Sequence, residues 1–214
     1  MNRKILKISF SEKILFAFFI LILILFIFFF FRISNKCFFL SSLDEKKLTE
    51  YIDNKIVILE TKCGKVAIKL FTKDSPLNTK QILKLIKLNK YDESYFYKVK
   101  KNKLIEFGDL KFGKKNNLNY LKIGTGGSYL ENNKSELSND YQFKEGSVGM
   151  VKRGKFDTEN SQIFILLESD NTYDRQYTPV GEVISGIDIL KKIKYNNNSE
   201  FVLRPDYVEK FYLF

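Results

Sequence analysis

Gly108, Gly113 and Lys114 stand in the order Gly-x-x-x-x-Gly-Lys, the spacing of a loop whose amides and lysine hold nucleotide phosphates. The next residue is Lys115, where a Ser or Thr hydroxyl would have to hold magnesium, and no strand–loop–helix context follows, so that reading is set aside. Gly124-Thr125-Gly126-Gly127 fails as a dinucleotide fingerprint, because the third glycine would fall on Tyr129; it reads as a turn requiring positive φ. The chain of 214 residues has no histidine, which removes histidine-based triads, the two-histidine zinc helix and imidazole pH switches. Its two cysteines, Cys37 and Cys63, are too few for a four-thiolate metal site and allow at most one disulfide. No metal or cofactor is implied. Asn133-Lys134-Ser135 and Asn197-Asn198-Ser199 are glycosylation sequons, which suit a translocated domain but also arise by chance in an Asn-rich chain.

Charge narrows the partners. The formal net charge is +11, and residues 1–36 hold six Lys or Arg against one acid. The lysines of residues 100–122 are interleaved with Asn and form no periodic basic helix. They read as a solvated surface, and no nucleic-acid partner is expected.

The elements that would position any site begin with Ile14–Phe31, an apolar run without a polar side chain. As a helix it spans about 27 Å, the thickness of a bilayer's hydrocarbon. It has no polar face, as a buried core helix would, and it is long for the apolar core of a cleaved signal peptide; no small-x-small site follows it. The expectation is an uncleaved signal anchor. Arg3, Lys4, Lys7 and Lys13 precede it, so the amino terminus is placed in the cytosol and the carboxyl part across the membrane, in a secretory or organellar compartment. The basic N-terminus is short for an organellar import signal. Cys37, just past the span, reads as an ordinary thiol rather than a palmitoylation site. The domain plan is a basic tail over 1–13, a transmembrane helix over 14–31, a tether over 32–53 whose charged end begins a short helix, and a folded domain over 54–214.

Within that domain, 56–59 and the alternating run 65–71 flank Thr61-Lys62-Cys63-Gly64 and predict a hairpin. Ser75 and Pro76 predict a helix start, with Leu77, Ile82, Leu85 and Ile86 as its apolar stripe and Asn89 as its stop. Further strands are predicted at 95–99, 104–107, 147–151, 162–167, 179–184 and 207–214, and a second short helix at 187–193. The reading is mainly β, a closed or sandwiched sheet with two helices.

Eight segments in this order carry a resemblance to the cyclophilin-type peptidyl-prolyl cis-trans isomerases: GKVAIKLF with its helix, YDESYFYKV, IEFGD, GTGG, GSVGM, SQIFI, YDRQYTPVGEV and GIDILKKI. The resemblance implies an eight-stranded antiparallel closed barrel capped by two helices, with a substrate groove on its outside, and proline-containing peptides or client proteins as partners. By position it implies Lys98 where the family has its catalytic arginine, and Glu106 where a glutamine orients that arginine. Lys103 replaces the aromatic wall of the proline pocket, Leu104 keeps its apolar neighbour, Phe164 is the floor and Gln162 the backbone-binding glutamine. Val151 and Lys152 narrow the groove, Tyr173 takes an apolar position and Tyr177 that of a histidine. Thr172 stands where many members carry the tryptophan that binds cyclosporin, so weak or no cyclosporin binding is expected. Replacing a planar five-donor guanidinium by an ammonium is not conservative. Two readings follow: a membrane-tethered isomerase of reduced activity, and a pseudo-isomerase that binds peptides or partners without turnover, its Lys103 and Lys152 suiting acidic segments. A third treats the barrel as ballast on an anchor.

Overall fold

The computed structural model describes residues 9–34, 37, 43, 48–51 and 55–214. The chain divides into two compact units, Met1–Phe39 and Leu40–Phe214. Most of the basic tail and of the tether lies outside the described residues; of the helix expected near the end of the tether, a single 3-10 turn over Thr49–Tyr51 is described.

In the first unit α1 runs Phe10–Ser34. Its stretch Phe10–Phe30 is long and apolar enough to cross a membrane, with mean hydropathy 3.1 and none of it buried. The helix starts at Phe10 rather than Ile14 because Ser9 and Glu12 form a capping box. The Glu12 amide donates to Ser9 Oγ at 3.3 Å, and the Ser9 amide donates to Glu12 Oε2 at 2.7 Å.

In the second unit β1 (Ile56–Thr61) and β2 (Gly64–Leu70) make the expected hairpin. Gly64 turns it with φ 139°, and Thr61 Oγ1 accepts from the Cys63 amide. Both cysteines are disulfide-bonded, which corrects the expectation of an ordinary thiol at Cys37: a sulfur in a disulfide offers no thiolate to titrate or acylate. Helix α2 (Pro76–Lys87) follows. Ser75 precedes it as expected, yet its hydroxyl donates to the Pro179 carbonyl, leaving no side-chain cap there. The orphan amides are taken by Glu136, whose carboxylate accepts from Leu77 and Asn78, each at 3.0 Å. Asn89 ends the helix in a left-handed conformation, φ 52°.

The remaining strands are β3 (Lys98–Lys100), β4 (Leu104–Phe107), β5 (Gly113–Lys114), β6 (Asn117–Leu118), β7 (Ser147–Met150), β8 (Ile163–Leu166), β9 (Pro179–Ser185) and β10 (Val208–Leu213). Eight form one antiparallel sheet in the order β10-β1-β2-β9-β7-β8-β4-β3. The sheet curls until its ends meet: Tyr95 bridges Tyr207, the Phe96 amide donates to the Asp206 carbonyl at 2.9 Å, and the Val208 amide donates to the Ser94 carbonyl at 2.8 Å. The pair β5–β6 was not foreseen, and it contains the glycine and lysine of the rejected phosphate loop.

Alternation along the strands fills the interior with Val57, Leu59, Val66, Ile68, Ile105 and Ile165. To the same cluster α2 adds Ile82, Leu85 and Ile86, and the short helix α3 (Ile187–Leu190) adds Ile189 and Leu190. Tyr91, Phe107 and Phe211 interlock there edge to face, at centroid separations of 5.4–6.1 Å. The fold is mainly β, a curled eight-stranded antiparallel sheet with helices.

Candidate active site

The register places a row of residues on the outside of the sheet. Lys98 on β3 faces Glu106 on β4, Glu106 faces Phe164 on β8, and Phe164 faces Gly149 on β7. Cross-strand partners share a face, so Lys98, Glu106 and Phe164 stand side by side while their neighbours Val99, Ile105 and Ile165 point into the core. Gly149 is required here: a Cβ at that position would overlap the outer end of the Phe164 ring. Leu104 and Leu166 form the next matched pair on this face.

Glu106 is buried and its two oxygens are both used. Lys98 Nζ donates to Oε1 at 2.9 Å, and the buried Tyr97 hydroxyl donates to Oε2 at 3.2 Å. Burial alone would lower the Lys98 pKa; the facing carboxylates, Glu106 first and Glu200 second, outweigh it and hold the ammonium above its ordinary value. Glu200 lies 3.5 Å from the same Nζ.

Beside this pair is a small apolar cluster of Leu104, Phe143, Phe164 and Leu166, covered by Tyr141, Val151, Tyr173 and Tyr177. Tyr173 and Tyr177 lie 5.1 and 5.2 Å from Phe164 and 4.9 Å from each other, centroid to centroid. Phe164 is consequently 1 % exposed and Leu104 3 %. Burial, then Tyr177 and the Glu106 charge, push the Tyr173 phenol up to about 12, and burial with Glu106 raises Tyr177 as well. Lys152 lies across this edge, its Nζ 4.8 Å from the Tyr177 ring centroid and 3.9 Å from that of Phe156.

Lys98, Leu104, Glu106, Val151, Lys152, Phe164, Tyr173 and Tyr177 therefore gather in one region. Lys103 does not join them: its side chain is 65 % exposed and pairs with Glu168 at 3.1 Å. Gln162 is buried with its Nε2 donating to the Gly126 carbonyl at 2.9 Å, while its Oε1 has no hydrogen-bond partner among the described residues. Thr172 is exposed, and its hydroxyl donates to Asp170 at 2.6 Å. Sequence reasoning missed Tyr97, Phe143 and Glu200. Tyr97 lay inside the quoted segment, whereas Phe143 and Glu200 sit in loops with no signal pointing toward Lys98. Among the described residues no group of three His, Cys, Asp or Glu side chains is placed to hold a metal ion.

Residues 56–212 match the family model of the cyclophilin-type peptidyl-prolyl cis-trans isomerases. The chain belongs to this family. A Brucella suis protein named "Probable peptidyl-prolyl cis-trans isomerase" is 35 % identical over 157 residues, covering 72 % of this chain and 80 % of that one. A peptidyl-prolyl cis-trans isomerase of Acinetobacter baylyi is 27 % identical over 145 residues, 65 % of this chain and 72 % of that one. Among solved structures, a Cryptosporidium parvum cyclophilin superposes with TM-score 0.65 at 21 % identity, over 75 % of this chain and 98 % of that one. The same protein in the presence of the dipeptide Ala-Pro gives 0.64 at 22 % identity, over 74 % and 98 % of the two chains. The fold is thus the cyclophilin fold.

Proposed function

We propose that this cyclophilin is a membrane-tethered prolyl isomerase of reduced turnover, with Lys98 as its electrostatic donor. The observation that carries the reading is the Lys98–Glu106–Phe164 row, in which a cation, its counter-charge and an aromatic floor share one face of the sheet. Rotation about an X–Pro bond meets a barrier of about 18–20 kcal/mol from amide resonance. Neither proton transfer nor a nucleophile is needed, so a chain without histidine can do it. An apolar pocket holds the proline ring, and a cation aimed at the prolyl amide favours the twisted amide over the planar one.

Turnover is reduced for two reasons. The ammonium lacks the guanidinium's fork and is already engaged by carboxylates. The floor is also covered, so a proline ring must displace Tyr173 and Tyr177 to reach Phe164. That same coverage favours the second reading, a peptide-binding module without turnover. Among the described residues Gln162 Oε1 has no hydrogen-bond partner, which suits it to accept a peptide N–H once the groove opens. Thr172 offers cyclosporin no indole, so inhibition is weak.

Localisation is part of the proposal. Helix α1 is an uncleaved anchor, the amino terminus is cytosolic and the isomerase domain faces an oxidising, extracytoplasmic compartment. The charge asymmetry around the helix and the oxidised cysteines support this; digestion of the domain by protease from the cytosolic side of sealed vesicles would refute it. The test of function is cis–trans exchange of a proline tetrapeptide. Lys98→Ala lowers kcat/KM by about tenfold, less than a free preorganised donor would supply. Peptide binding with no exchange above background would favour the binding module.

A further inference from the structure

The loop between α3 and β10 brings a second acid to Lys98. Residues 200–202 lie along the outer edge of β3, the end strand of the sheet: the Val99 amide donates to the Glu200 carbonyl at 2.8 Å, and the Val202 amide donates to the Tyr97 carbonyl at 3.2 Å. Lys98 itself is bridged to Phe201. This backbone pairing fixes where Glu200 can reach. Its Oε1 pairs with Lys100 Nζ at 2.6 Å and its Oε2 lies 3.5 Å from Lys98 Nζ. Lys98 is thus held between Glu106 and Glu200, and Glu200 is divided between two lysines that project from the same face of β3.

The two carboxylates differ in exposure. The Glu106 side chain is 12 % exposed, whereas that of Glu200 is 45 % exposed and open to water and salt. The Glu200 interaction is therefore the adjustable one.

We propose that Glu200 is a positioning residue that holds the Lys98 ammonium back from a bound prolyl amide, and that Lys100 weakens this hold by competing for the same carboxylate. The proposal rests on the reading of Lys98 as the donor. It assigns opposite signs to two neighbouring charge removals, which a merely structural loop would not.

The experiment uses the full chain in detergent micelles, with cis–trans exchange of a proline tetrapeptide followed by NMR. Glu200→Gln raises kcat/KM by about two- to fivefold, the size of a partly exposed ion pair, and Lys100→Gln lowers it by a similar factor. The double variant behaves as Glu200→Gln alone, because Lys100 acts only through Glu200. Wild-type turnover rises with sodium chloride, and that rise is absent from Glu200→Gln. A fall in turnover with Glu200→Gln, or a Lys100→Gln effect that persists without Glu200, overturns the proposal. The Lys98 13Cε titration is a readout independent of turnover: its midpoint falls in Glu200→Gln and rises in Lys100→Gln. An unmoved midpoint overturns the proposal whatever the rates. A moved midpoint with Lys98→Ala fully active leaves the hold standing and removes the donor reading alone.

Discussion

Glu106 and Asp109 flank Phe107 and Gly108 in one short segment, both buried, and they serve opposite ends. Asp109 accepts four backbone amides: Lys111 and Phe112 on Oδ1 at 3.1 and 2.9 Å, Gly124 and Gly126 on Oδ2 at 2.7 and 3.0 Å. Glu106 accepts two side chains, the Tyr97 hydroxyl and the Lys98 ammonium. Backbone donors are fixed by the chain and cannot swing away, so Asp109 locks the two glycine loops to the end of β4. A lysine on four methylenes can swing, so the contact Glu106 makes with Lys98 is one that can be exchanged for another partner. Under the proposed function one of these buried carboxylates is architectural and the other chemical, almost adjacent in the chain.

The largest expected effect tests the architectural half. Asp109→Ala leaves four amides without their acceptor and lowers unfolding free energy by about 4 kcal/mol or more, read by urea denaturation. A variant as stable as wild type would mean that the glycine loops hold themselves. Glu106→Gln keeps an acceptor for Tyr97 and drops only the charge, so its cost is about 1 kcal/mol in the same measurement. Equal losses at both positions would erase the distinction.

A smaller effect uses pH. The Tyr173 phenol is raised to about 12, by burial first and by Tyr177 and the Glu106 charge after it. The protonated form is the one the fold favours. Its contribution is fully present below the unfolded value near 10 and is lost as pH rises from there through about 12. Phenolate absorbance should lag behind that of a model tyrosine over this window, and Glu106→Gln should shorten the lag. A Tyr173 signal that titrates at 10 would place the ring in water. At neutral pH, where Lys98 remains fully charged, turnover should be flat with pH.

Much of this was legible in the sequence where the signal is local. The β1–β2 hairpin follows from alternation around Gly64, and α2 from its apolar stripe and the stop at Asn89. What escaped depends on partners distant in the chain. Ser75 has the right residue type for a cap, yet its hydroxyl goes to Pro179, and the cap comes from Glu136 far along the chain. The strands β5 and β6 are two residues each, too short for any period to register. For the site, the family resemblance pointed to Lys98, Glu106 and Phe164, which the register sets in one row; it gave no hint that Lys103 turns to solvent toward Glu168. Ser9 and Glu12 carried a readable capping box that was hidden because the apolar run begins after it.

The central claim is that a lysine on this row acts as a weakened stand-in for a planar cationic donor. Lys98→Arg tests it most directly, with kcat/KM on a proline tetrapeptide measured beside thermal stability. The account predicts a rise of about tenfold with the melting temperature little changed, since the fork can bind Glu106 and still present an N–H to the amide. An arginine variant no faster than wild type, folded and binding peptide equally well, would contradict it.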